Sequence, residues 1–110
     1  MDNLFFNMND IMRESLKSVG EDFYTQYLRR SIFYYWKDIV GQVNAKYVKP
    51  LRIEYKNLFV YVKDASWKAN VYAYKSTIIK KINDFTGEGL VEDILFGRPN
   101  ERPAEDENIV

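Results

Sequence analysis

The sequence contains no cysteine and no histidine. The first absence excludes disulfides, zinc ribbons and thiol catalysis together. The second removes the commonest general base and the commonest metal ligand. Carboxylates and lysines remain, but chemistry on them alone needs a special site, and the sequence offers none. Glu92 and Asp93 are adjacent, so on a strand they point to opposite faces and cannot act as an acid/base pair. Gly87-Glu88-Gly89 is too short to cradle a phosphate, and there is no Walker or dinucleotide-binding motif. The chain therefore reads as a binding domain and not as an enzyme, with no metal and no cofactor. It also lacks an apolar run approaching the roughly 18–20 residues of a membrane span, so no membrane partner is expected. Met1 to Phe6 shows neither the basic region nor the long apolar stretch of a secretion signal, so the expected location is cytoplasmic.

What is present is aromatic and charged. Nine Tyr, seven Phe and two Trp in 110 residues let a short chain bury a usable core, because each ring removes a large area from water. The length fits one domain, since two would be too small to bury separate cores. The net charge of zero hides a segregation. Between Arg29 and Lys81 there are twelve basic residues and three acidic ones, a local excess of nine positive charges, balanced by the acidic flanks. A partner responds to local potential more than to the total.

Apolar spacing outlines the elements. Met8, Ile11, Met12, Leu16 and Val19 recur at helical steps and stop at Gly20. Asp22 is placed to cap a longer helix reaching Val43, with Leu28, Ile32, Tyr35, Trp36, Ile39, Val40 and Val43 as its stripe. Leu51 to Lys56 alternates apolar with charged residues, and Leu58 to Lys63 is rich in β-branched and aromatic residues, so both read as strands. Lys56-Asn57 suits a tight turn between them, because Asn tolerates the left-handed conformation. A third helix follows, capped by Asp64 or Ser66, with Trp67, Val71, Tyr74, Ile78, Ile82 and Phe85 on one face and Gly87 at its end. A short strand, Val91 to Phe96, completes the order α-α-β-β-α-β. That order defines an α+β domain over residues 1–97, with helices packed on one face of a small three-stranded sheet. Residues 98–110 are acidic and poor in apolar surface, and are expected to be a disordered tail.

Two surfaces stand out. Lys46, Lys49, Arg52, Lys56 and Lys63 flank and enter the hairpin, with Tyr47, Phe59 and Tyr61 interleaved. Lys68, Tyr72 and Lys75 share a face of the third helix. Converging cations suit phosphates, and neighbouring rings suit unpaired bases, so the expected ligand is single-stranded DNA or RNA. Equally, such residues serve as solvated faces and lysine stems over apolar neighbours. The second helix carries more rings than one buried side holds. Tyr27 and Tyr34, with Tyr72 on the third helix, are therefore candidates for contact with a protein partner. The alternative function is a protein-interaction module, dimeric or otherwise, that binds no nucleic acid.

The landmarks, taken in order, resemble the DciA family of bacterial replicative-helicase operators, also known as domain of unknown function 721. The pieces that carry the resemblance are Trp36-Lys37-Asp38-Ile39-Val40-Gly41, Pro50, Leu58-Phe59-Val60-Tyr61-Val62, Ser66-Trp67-Lys68-Ala69, Ile78 with Ile82-Asn83, Gly87, and Val91-Glu92-Asp93-Ile94-Leu95-Phe96. The resemblance implies a KH-like domain, nucleic-acid binding, and a role in DNA replication as a helper in loading the replicative helicase. Two departures bear on mechanism. Asn57 stands at a hairpin position where Gly is usual, and the chain has no GxxG loop of the kind with which KH domains clamp a strand.

Overall fold

The long apolar stripe after Asp22 does not run as one helix. A computed structural model describes residues 20–103. In it the backbone leaves helical geometry at Tyr35 (φ −100°, ψ 21°) and turns sharply at Gly41 (φ 92°, ψ 158°). The stripe becomes α1 (Glu21–Tyr34), α2 (Trp36–Val40) and α3 (Gln42–Tyr47). A positive φ is open to glycine and strained for residues with a Cβ, so Gly41 is where the chain can change direction. This corrects the expected single helix to Val43. Spacing reports an average period and misses one residue of reversed φ, and beyond the turn Val43 faces solvent. The helix expected over Met8 to Val19 lies outside the described residues.

The chain divides into two compact units after Ser31. In the first, Tyr24 and Leu28, one turn apart on α1, are buried, and Ser31 Oγ donates to the Tyr27 carbonyl at 3.0 Å. The second unit begins at Ile32 and contains the sheet.

Three strands form that sheet in the order β1 (Val48–Glu54), β2 (Asn57–Val62), β3 (Asp93–Phe96). β1 is antiparallel to β2, and β3 is parallel to it. The hairpin turn is Tyr55-Lys56 rather than Lys56-Asn57, and the left-handed residue is Tyr55 (φ 58°). Asn57 lies in β2, opposite both Glu54 and Asp93. Burial explains the register. Ile53, Leu58 and Ile94 sit side by side across the three strands and are all buried, and a shift of one residue would turn a strand's apolar set outward. Moving the turn also frees the Lys56 carbonyl, which accepts from the Glu92 N–H at 2.8 Å and the Asp93 N–H at 3.3 Å. These bonds fix the entry of β3.

The expected third helix is also divided. Ala65–Trp67 is a 3-10 turn, followed by α4 (Lys68–Ala73) and α5 (Lys75–Thr86), with the break at Tyr74 (φ −103°, ψ 12°). Asp64 caps the segment, accepting from the Ser66 N–H at 3.0 Å and its hydroxyl at 2.9 Å. The break turns Tyr74, expected in the core, out to solvent, while Val71, Ile78 and Ile82 remain buried. α5 ends at Gly87, which is left-handed, its N–H donating to the Asn83 carbonyl at 2.8 Å.

Helices and a mixed sheet make this an α+β fold, and the order α-α-β-β-α-β fits it. One buried cluster joins Trp36, Val40, Ile78 and Ile82 from the helices to Val48, Leu58, Val60 and Ile94 from the strands. Two polar side chains brace it. Trp36 Nε1 donates to the Val48 carbonyl at 2.7 Å inside the core. Asn83 reaches from α5 to the loop before β3, donating to the Val91 carbonyl at 2.8 Å and accepting from the Leu90 and Val91 N–H groups at 3.1 and 3.0 Å. Asn83→Ala would strand three backbone groups in a half-buried place. It is expected to cost about 2 kcal/mol of stability by urea denaturation.

Candidate functional site

The helices cover one face of the sheet, so alternation along β2 sends Leu58 and Val60 into the core and Phe59 and Tyr61 to the other face. Arg52 lies opposite Phe59 in the ladder and Lys49 opposite Tyr61. A register irregularity between Pro50 and Arg52 separates these two β1 residues, next to a proline that has no N–H to give a ladder.

The seven cations expected at the site do not form one patch. Arg52, Lys56 and Lys75 are each matched to a carboxylate. Arg52 Nε lies 2.6 Å from Glu54, and its Nη1 pairs with Glu101. Lys56 lies 3.4 Å from Glu92, and Lys75 lies 2.8 Å from Asp93. These pairs set the local titration. Lys75, and after it the Ile94 N–H, hold the Asp93 carboxyl below its ordinary value. The Arg98 N–H and then Arg52 do the same for Glu101. Donating to Glu101 and then Glu54 raises Arg52, and donating to Asp93 raises Lys75.

Lys46, Lys63 and Lys68 have no carboxylate partner among the described residues, and all three are exposed. The backbone brings them to one end of the sheet. Lys46 closes α3 and lies 5.6 Å from the Tyr47 ring. Lys63 follows β2, and its N–H donates to the Tyr47 carbonyl at 2.9 Å. Lys68 opens α4 and lies 5.3 Å from the Phe96 ring. Between them the rings of Tyr47 and Trp67 stack at 4.4 Å with an interplanar angle of 22°. Tyr47 was among the rings singled out from the sequence. Trp67, expected in the core stripe, does pack against the buried cluster, but it stays half-buried beside Tyr47.

The expected contact tyrosines separate as well. Tyr34 is 82% exposed, with its ring edge against Tyr35 at 4.9 Å, and Tyr72 is 71% exposed, with Lys75 Nζ 5.0 Å from its ring. Tyr27 is half-buried. Lys68 and Lys75 were expected on one helical face. The break at Tyr74 intervenes, and they serve opposite ends of β3, Phe96 and Asp93.

Sequence reasoning missed Glu101 and Arg102. They lie in the segment expected to be disordered, yet residues 98–103 make defined contacts on the helix-free face, and residues 104–110 of that segment fall outside the described part. The spacing Arg98-Pro99-Asn100-Glu101-Arg102-Pro103, with two Arg-Pro pairs around a carboxylate, was the available signal.

Fold and surface together define a small α+β domain whose distinctive feature is a cationic, aromatic end of its sheet. The family model of DciA, described as the Dna[CI] antecedent, matches residues 7–96, and the chain belongs to that family. Membership links it to the loading of replicative helicases. No curated protein matches the chain. No helix among the described residues is long and apolar enough to cross a membrane.

Most pieces that carry the family resemblance have structural work here. Trp36 and Asn83 brace the core, Gly41 and Gly87 end helices, and Leu58, Val60 and Ile94 fill the sheet's inner face. Trp67 and Lys68, from another of those pieces, lie instead at the cationic end of the sheet.

Proposed function

We propose that this chain is a non-enzymatic accessory domain that contacts single-stranded nucleic acid while assisting the replicative helicase. One observation carries the nucleic-acid half: Lys46, Lys63 and Lys68, free of carboxylate partners among the described residues, share one end of the sheet with the stacked Tyr47–Trp67 pair. Cations placed around ring faces suit a backbone that carries phosphates and bases together. Family membership supports the helicase half, and the exposed rings of Tyr34 and Tyr72 are the surface we assign to that protein. A KH-like arrangement is compatible with the element order, but the chain has no GxxG loop, so side chains rather than a backbone clamp would hold the strand.

The test is a titration of labelled single-stranded DNA at rising salt. Three phosphate contacts predict a log–log slope of about −2. Absence of binding at low salt, or affinity indifferent to salt, would overturn the nucleic-acid half. Mixing with the purified replicative helicase of the same host tests the other half, with co-elution on gel filtration as the expected result.

A further inference from the structure

The helix-free face of the sheet holds a second pair of rings, and both are covered. The Arg52 guanidinium lies 4.1 Å from the Phe59 ring centre, and the Arg102 guanidinium lies 5.1 Å from that of Tyr61. Residues beyond β3 organise this cover. The Gly97 N–H extends the sheet by donating to the Val60 carbonyl at 3.0 Å, and Gly97 packs so close to Leu51 that a Cβ there would overlap the leucine side chain. The chain then folds into a tight turn. The Glu101 N–H donates to the Arg98 carbonyl, and the Arg98 N–H donates to Glu101 Oε1, each at 3.0 Å. Arg102 Nη1 donates to the Pro99 and Glu101 carbonyls at 3.1 and 3.0 Å, which fixes its plane. Glu101 Oε2 pairs with Arg52, and Pro103 is buried.

We propose that residues 98–103 form a strap that closes a second stacking surface for single-stranded nucleic acid, made by Phe59, Tyr61 and Arg52. Glu101 places a carboxylate on Arg52, where a phosphate would sit, and Arg102 lies over Tyr61, where a base would stack. The two contacts copy the two parts of a nucleotide with side chains of the same chain. The strap is displaceable because its hold on Arg52 is an ion pair still partly open to water, and such pairs are weak. Arg98, Pro99, Asn100 and Arg102 are exposed, so Pro103 is the strap residue that leaves a buried position on release. The surface deepens the function proposed above: the strand engaged at the Tyr47–Trp67 end continues across the sheet once the strap lifts.

Arg102→Ala in the full chain separates release from simple electrostatics. Removing a cation weakens phosphate binding if Arg102 only adds charge. Uncovering Tyr61 instead tightens binding to an oligothymidylate, by about fivefold or more for one added base stack. Tyr61→Ala in the Arg102→Ala background should abolish that gain, with circular dichroism confirming the fold of each variant. Hydrogen exchange at the Arg98 and Glu101 amides should speed up when oligothymidylate is added to the unaltered protein. Equal or weaker binding by Arg102→Ala, while the unaltered protein binds, overturns the strap alone. Absence of binding by the unaltered protein and by every variant overturns both the strap and the nucleic-acid reading.

Discussion

Replacing Lys46, Lys63 and Lys68 together with alanine is expected to weaken binding of single-stranded DNA about a hundredfold at 0.1 M salt. The estimate follows from counterion release. Each phosphate contact on a single strand contributes about 0.7 to the log–log salt slope, so losing three removes about two decades at that salt concentration. Lys56→Ala with Lys75→Ala is the informative comparison. Those lysines already face Glu92 and Asp93, and their charge is spent locally. At 0.1 M salt, with screening over about 10 Å, the double variant should change affinity by no more than about threefold. Fluorescence anisotropy on both variants decides the matter. Equal losses would mean that total charge governs binding and that the arrangement around Tyr47 and Trp67 does not.

Leu58→Ala is expected to be the most damaging single substitution for stability, at about 3 kcal/mol or more. Leu58 is 0% exposed on the central strand β2, with Ile53 and Ile94 beside it on the flanking strands, both buried. Strands on either side are held by ladder hydrogen bonds and cannot collapse into the space left behind. Domains of this size have about 5–15 kcal/mol to lose, so the variant forfeits a large share. Its melting temperature should fall by roughly 12–24 °C. Leu95→Ala, one residue along β3 from Ile94 and on the opposite face, should cost under about 1 kcal/mol. Calorimetry on the pair tests the assignment of inner and outer faces directly.

Much of the architecture was legible because it rests on local rules. Alternation found both hairpin strands, helical spacing found Val71, Ile78 and Ile82, and Gly87 marked a helix end, as the structure has them. The boundaries that moved share one cause. Gly41, Tyr35, Tyr74 and Tyr55 each depart from the surrounding geometry at a single residue, and a period averaged over many residues does not register that. At Tyr55 local propensity even pointed the wrong way. Asn57 is the better left-handed residue, but alignment of Ile53, Leu58 and Ile94 across three strands outweighs the preference of one turn position.

The candidate site was legible as a list of residues and not as a surface. The excess of nine positive charges between Arg29 and Lys81 is real along the chain. Folding then returns acids from outside that stretch: Glu92 to Lys56, Asp93 to Lys75 and Glu101 to Arg52. What sequence alone determined was the chemistry available to this protein: no thiol, no imidazole, abundant rings, and lysines concentrated in the middle. Which of those lysines meet a carboxylate was decided only by tertiary structure. Ion pairing falls off within a few ångströms, and only the folded sheet and its returning C-terminal segment set distances on that scale.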